Sequence, residues 1–270
     1  MQTIKLNNGL EMPQLGLGDY KADNGKEAID AIHWAVEAGY RHVDTAGIYN
    51  NEEAVGKALQ TASVPRGDVW LTTKIWNDDV RAGRTTAALD EALARLKTDY
   101  VDLLLIHWPA DGYLAAWKAF EQALSAGKVR AIGVSNFMEE HLADIVDNGE
   151  ILPAVNQIEY HPYLVQAEAI SFSDMHDIAI TAWSPLMQGK FLQEPLFAKI
   201  GKAYGKSAAQ VVLRWCLQND IIVIPKSTNQ GRIRENGELF DFELSEDHMI
   251  AIDELERGER LGPDPRDFDF

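Results

Sequence analysis

The sequence has almost no cysteine, no long hydrophobic run and a deficit of positive charge. Its one cysteine, Cys216, has no internal partner for a disulfide, and Val211, Val212, Trp215 and Leu217 around it predict a buried thiol on a core-facing helix. The longest largely apolar run, residues 101–106 with Asp102 within it, is far short of the ~20 residues a membrane helix needs. No early segment resembles a signal peptide, so the expectation is a cytoplasmic protein. Lys and Arg number 25 against 42 Asp and Glu, a formal net charge of -17. That balance repels phosphate backbones and anionic lipid, and argues against nucleic acid or membrane as a partner of the whole surface. The G-x-G-x-x-G fingerprint of a dinucleotide-binding fold is also missing, because Gly16-Leu17-Gly18 is followed by Asp19, Tyr20 and Lys21. Finally, no Pro/Gly/Ser linker, composition break or low-complexity tract divides the chain, so residues 1–270 read as one domain.

What is present is a regular alternation. Residues 3–12 alternate around an Asn8-Gly9 turn and read as a short hairpin, a lid or plug ahead of the main fold. Eight short apolar runs follow, at 14–18, 40–45, 69–74, 101–107, 131–135, 155–160, 179–184 and 221–226. Between them, apolar residues recur at three and four, as in Ile29, Ile32 and Val36, Leu89, Leu93 and Leu96, or Trp117, Phe120 and Leu124. Gly39 and Gly127 sit where such helices should stop. Runs apolar on both faces suit parallel strands buried between a packed centre and outer helices. The pattern predicts an α/β protein, a (β/α)8 TIM barrel with an N-terminal β-hairpin.

Active sites of such barrels lie at the C-terminal strand ends, and here those ends are polar or aromatic. They carry Asp44 with Tyr49, Lys74, His107, Ser135 with Asn136, Gln157, Trp183 with Ser184, and Lys226 with Ser227. Aspartate, tyrosine, lysine and histidine converging on one pocket make a proton donor rather than a nucleophile or a metal site. A phenol titrates near pH 10 and a cation within reach typically lowers it by ~1–3 pH units, a part Lys74 is placed to play with Asp44 keeping it charged. Singly, each residue has an ordinary explanation: a lysine at a strand end is more often solvated than catalytic, and a histidine after an apolar strand is often a core histidine. General acid catalysis contributes roughly 10²–10⁴ in rate, too little to reduce a carbonyl without a hydride donor.

In order along the chain stand M-P-Q-L-G-L-G at 12–18, G-Y-R-H-V-D-T-A at 39–46, T-K-I-W-N at 73–77, L-I-H-W-P at 105–109, I-G-V-S-N-F at 132–137, P-A-V-N-Q-I-E at 153–159, W-S-P-L at 183–186 and I-P-K-S at 224–227. With these motifs the chain closely resembles the aldo-keto reductases, in particular short bacterial members similar to 2,5-diketo-D-gluconate reductases. The resemblance implies a catalytic set of Asp44, Tyr49, Lys74 and His107, with Tyr49 as general acid. It implies that NADPH or NADP+ is held at the nicotinamide by Ser135, Asn136 and Gln157, stacked on by Trp183, and flanked by Ser184 and Leu186. Lys226, Ser227 and Arg232 would contact the 2′-phosphate, and Glu235 and Asn236 the adenine. A cation, a hydroxyl and a guanidinium at a helix start suit a phosphate, which predicts NADPH over NADH. Tyr20, Ile48, Trp76, Trp108 and His107 would line the substrate pocket.

Two residues depart from the family pattern. Asp19 stands where relatives usually carry threonine or a small apolar residue, and is expected to turn to solvent or pair with a cation. Met187 stands where this group often has glycine. The loop 108–113 is short and the tail after Leu255 brief and acidic, so the site is expected to be open and the tail a solvated end. His161 follows a strand but has no second histidine or cysteine at metal-ligand spacing, so a structural role is expected and no metal. The implied activity is NADPH-dependent reduction of small aldehydes or ketones, such as diketo acids, sugar-derived ketones or methylglyoxal, by a monomer. The alternative is a cofactor-binding regulatory subunit on the same fold with little turnover, against which the complete four-residue set weighs.

Overall fold

The computed structural model describes residues 2–270. Two short antiparallel strands, β1 (Thr3–Lys5) and β2 (Glu11–Pro13), form the hairpin expected around Asn8-Gly9. Eight parallel strands follow: β3 (Leu17–Gly18), β4 (His42–Asp44), β5 (Trp70–Ile75), β6 (Val101–Ile106), β7 (Val129–Ser135), β8 (Val155–Glu159), β9 (Ala179–Trp183) and β10 (Ile222–Val223). Each pairs with its sequence neighbour in order from β3 to β10. The ring closes between its ends through the parallel bridges Leu15↔Val223 and Gly18↔Lys226. The fold is the (β/α)8 barrel.

The first and last strands are shorter than the apolar runs that encode them. At this seam the chains exchange only a few bonds, Gly16 N–H to the Val223 carbonyl and Val223 N–H to the Gln14 carbonyl, both at 2.9 Å. Close approach explains the glycines here. A Cβ on Gly16 would lie 2.5 Å from His42 Nδ1, and one on Gly18 2.7 Å from the Ile224 carbonyl oxygen. Thus G-L-G in this chain is a seam of the barrel.

Burial on both faces follows from alternation. In β6, Leu103 and Leu105 join Ala131, Val155 and Ile222 inside the barrel, whereas Leu104 and Ile106 pack outward with Ile132 and Val134 against the helices. Leu6 and Met12 of the hairpin complete the inner cluster, and the Asn7 and Asn8 amides donate to the carbonyls of Pro153 and Arg130 at 2.8 and 3.3 Å. Those acceptors lie near the starts of β8 and β7, so the hairpin plugs the barrel at the end opposite the polar strand termini. Cys216 is fully buried on the helix Ala208–Gln218, as the sequence predicts, and burial pushes its thiol pKa up. No helix among the described residues is long and apolar enough to cross a membrane.

Candidate active site

Strand ends position the chemistry. Asp44 ends β4 and Lys74 is the fifth residue of β5. Both are buried, at 2% and 1% exposure, and Lys74 Nζ donates to Asp44 Oδ1 at 2.5 Å and to the Thr45 carbonyl at 2.9 Å. A buried ammonium is tolerable only when so paired. Asp44 Oδ2 accepts from Gln157 Nε2 at 2.7 Å, which ties the middle of β8 to the same carboxylate. Tyr49 sits on a 3-10 turn, Gly47–Tyr49, that Asn50 ends in the left-handed conformation (φ 56°). This turn returns the phenol over the barrel mouth, 3.5 Å from Lys74 Nζ. His107 follows β6, its ring edge-on to Tyr49 at 5.7 Å and to Trp76 at 5.1 Å. The four residues therefore meet at one place.

Their charge states differ from the expectation in one respect. The phenol of Tyr49 is held well above its ordinary range, first by burial and then by the carboxyls of Asp44 and Asp19. Lys74 does not lower it at rest, because the ammonium is committed to Asp44 and Thr45 and reaches the phenol only at the limit of hydrogen bonding. Burial, then the Lys74 charge, hold His107 well below its ordinary range and hence neutral. Its Nδ1 is buried without a partner.

A second set is locked together by its own bonds. Asn136, at φ 62° just past β7, donates through Nδ2 to the His107 carbonyl at 2.9 Å and accepts from Trp183 Nε1 at 2.8 Å. Ser135 Oγ donates to the Gln157 carbonyl at 2.8 Å. The indole at the end of β9 is thereby fixed in orientation by the residue after β7. A cavity of about 700 Å³ runs from Asp44, Tyr49 and His107 past these residues, then past Ser184 and Leu186 to Lys226. Ser227, Arg232, Glu235 and Asn236 lie beyond it. Arg232 is exposed on the helix Gln230–Gly237, whose cap Asn229 accepts from the Arg232 N–H at 3.0 Å. Ser227 Oγ accepts from the Asn229 N–H at 3.2 Å, and Asn236 is buried.

Tyr20 stacks obliquely on Tyr49 at 5.1 Å, and Ile48, Trp76 and Trp108 line the same cavity. The open site and solvated tail are corrected by the structure. Phe270 stacks flat on Trp76 (5.7 Å, 6°) and edge-on to Trp108 (5.1 Å), while Phe268 packs on Trp108 at 5.2 Å. The Phe270 carbonyl accepts from Asn77 Nδ2 at 3.0 Å and Arg81 Nη2 at 2.7 Å. Farther back, the N–H groups of Leu261 and Gly262 donate to the buried carboxylate of Glu159 at 2.6 and 3.1 Å. The tail is thus an aromatic strap latched at two points, and its sequence signal is the pair of phenylalanines alternating with acids, which charge alone conceals. His161 is structural, its Nε2 3.0 Å from Glu159 Oε1.

Both departures are resolved. Met187 adopts φ 49°, the left-handed region that favours glycine, and buries its side chain in the core. Asp19 neither reaches solvent nor pairs with a cation. It is 3% exposed, with no partner for either carboxyl oxygen. Burial, then the neighbouring Asp44, push its pKa up to about 8.

The sequence profile of the Aldo/keto reductase family matches residues 14–257. The chain belongs to the aldo-keto reductase family. It is 47% identical to "Glyoxal reductase" of Bacillus subtilis (strain 168), over 99% of this chain and 98% of that one. It is 46% identical to "Methylglyoxal reductase DkgA" of Yersinia pestis, over 98% and 96%. Among solved structures, a Bombyx mori aldo-keto reductase in complex with NADP superposes with a TM-score of 0.90 at 34% identity, covering 97% of this chain and 96% of that one. Aldo-keto reductases use nicotinamide cofactors, and this chain shares their barrel.

Proposed function

We propose that the chain is an NADPH-dependent reductase of small aldehydes and ketones, with 1,2-dicarbonyl compounds of the glyoxal and methylglyoxal type as its substrate class. The observation that carries this reading is the convergence of Tyr49, Lys74, Asp44 and His107 at one end of a cavity whose other end carries Lys226. The similarity to relatives named for glyoxal and methylglyoxal supports the substrate class. Reduction of a diketo acid such as 2,5-diketo-D-gluconate is a narrower member of the same reading.

The residues fit the cofactor. Trp183, pinned by Asn136, offers an aromatic face beside the cavity, and the Ser135–Asn136–Gln157 group has amide and hydroxyl functions at its wall. Lys226 and Arg232, exposed cations on an acidic protein, suit the 2′-phosphate. NADPH, when bound, supplies the hydride that the substrate carbonyl carbon receives. Tyr49 gives its proton to the carbonyl oxygen, yielding the alcohol. His107, neutral and with Nδ1 buried, presents Nε2 to the same oxygen and orients it. Lys74 stabilises the phenolate left behind, and Asp44 keeps Lys74 charged and in place.

Glyoxal, methylglyoxal and a diketo acid, each with NADPH and with NADH, provide the test, alongside Tyr49→Phe. Oxidation of NADPH by the wild type is expected, and kcat of Tyr49→Phe should fall by about 10²–10⁴ while NADPH affinity holds. Near-normal turnover of the variant would sink the mechanism. No cofactor oxidation across the panel would favour a cofactor-binding role instead.

A further inference from the structure

Asp19 lies near two other buried carboxyl groups, Asp44 and Glu52, and only those two have partners. Asp44 takes Lys74 and Gln157. Glu52, at the start of the helix Glu52–Gln60, takes the Thr73 hydroxyl at 2.6 Å and Arg95 at 2.7 Å. Asp19 takes nothing. The donors around it are already used. The Thr45 hydroxyl, near enough to Asp19 to lower its pKa, directs its proton to Asn51 Oδ1 at 3.0 Å, and Asn51 Nδ2 donates to the Asp19 main-chain carbonyl at 3.1 Å. The Lys74 ammonium is spent on Asp44, Thr45 and Tyr49. The charged or titratable groups that bear on Asp19 are Asp44 from β4, Lys74 from β5 and Glu52 from its helix, and Tyr49 feels its charge in turn. Asp44 with Lys74 and Glu52 with Arg95 each sum to zero, so an ionised Asp19 would be the odd charge in a buried cluster.

We propose that Asp19 is a positioning residue held as a neutral carboxylic acid, and that loss of its proton places an uncompensated negative charge beside Tyr49 and sets the alkaline limit of carbonyl reduction. The inference rests on Tyr49 being the general acid. An anion at Asp19 makes the phenolate harder to form, so Tyr49 releases its proton less readily to a carbonyl. In the reverse direction it leaves less phenolate to accept a proton from an alcohol. The proton balance is simple: Asp19 gives one proton to solvent as pH rises and recovers it as pH falls, with no change in oxidation state. Tyr49 titrates far above this region and His107 far below it, whereas Asp19 is pushed to about 8. Asp19 is therefore the member of this cluster placed to lose its proton between pH 7 and 9.

The experiment is the pH profile of kcat, with NADPH and methylglyoxal saturating, for the wild type and for Asp19→Asn, with Asp19→Thr as a second variant should the first fold poorly. The wild-type kcat is expected to fall up to about tenfold from pH 7 to pH 9, the fraction a group titrating near 8 controls. Asp19→Asn and Asp19→Thr should hold the pH 9 to pH 7 ratio near one. In parallel, infrared spectra of the wild type without substrate should show a protonated carboxyl C=O band at pH 7 that fades by pH 9 and is missing in Asp19→Asn. A wild-type alkaline limb retained in both variants, or no such band, would overturn the proposal. Absence of reductase activity in the wild type would count against the proposed function, while the infrared band would still decide the state of Asp19.

Discussion

Asp19 makes a prediction about folding that needs no substrate. Its carboxyl is raised from the ordinary 3.8 to about 8, so the folded and unfolded chains differ in protonation over about four pH units. Below pH 4 both states carry the proton and Asp19 contributes nothing. Between pH 4 and 8 the folded state binds one more proton than the unfolded state, so stability falls as pH rises, by about 1.4 kcal/mol per pH unit. Above pH 8 both are ionised and the full penalty, about 5–6 kcal/mol, is in force. That is comparable with the whole stability of an ordinary domain, about 5–15 kcal/mol. Asp19→Asn removes the slope. The buried amide has its own desolvation cost, but that cost does not vary with pH. Urea unfolding of both proteins at pH 5, 6, 7 and 8 gives the stability difference at each pH. The wild type should lose about 4 kcal/mol relative to the variant from pH 5 to pH 8, since all other titrating groups are shared and cancel. Parallel pH dependence of the two proteins would refute the reasoning outright.

Three further outcomes follow from the site. Arg232→Ala should weaken NADPH binding by about 1.5–3 kcal/mol, the worth of a charged hydrogen bond, and leave NADH nearly unaffected; equal losses in a fluorescence titration would remove Arg232 from the 2′-phosphate. Lys74→Met leaves Asp44 as an uncompensated buried carboxylate and should destabilise the fold by about 3–5 kcal/mol, with much of the loss recovered in Lys74→Met/Asp44→Asn. No recovery in the double variant would mean the pair does not carry the effect. Phe270→Ala uncovers the face of Trp76 and removes three aromatic pairs, with Trp76, Trp108 and Phe268, worth about 0.5–1.5 kcal/mol each. The ratio of kcat/KM for an aromatic aldehyde over glyoxal should rise several-fold, and an unchanged ratio would separate the strap from substrate selection.

The barrel was legible because its physics is periodic. Runs such as residues 101–106, largely apolar on both faces with Asp102 the one charge, fit strands buried on both sides, and the polar residue after each run pointed to the rim where the candidate site lies. Asp44, Lys74, Tyr49 and His107 were legible one by one as strand-end residues, and their order along the chain made them specific. Less legible were features that depend on geometry across the sequence. The bond from Trp183 to Asn136 joins residues 47 apart, and nothing in either neighbourhood announces it. The tail's acids suggest solvent, while the two aromatic rings that decide its position find their partners only in folded space. Asp19 is illegible for a similar reason: a carboxylate predicts solvent or a cation, and only the folded structure shows its potential donors already committed elsewhere.

These details bear on what kind of acid Tyr49 makes in the proposed mechanism. A phenol tuned to titrate near neutrality would lie partly ionised at rest, and the ionised fraction would have no proton to give. Burial and the Asp44 carboxylate work against that, holding the resting phenol protonated. Lys74 waits at 3.5 Å, already bound to Asp44 and Thr45. Its charge is of little use to the neutral phenol and of much more to the phenolate, so the interaction strengthens as the proton leaves. Stabilisation that appears only as charge develops lowers the barrier without lowering the ground state. On this reading Asp44 holds Lys74 in place in both states, and Asp19, neutral, keeps the cluster from acquiring the extra negative charge that would cancel the advantage.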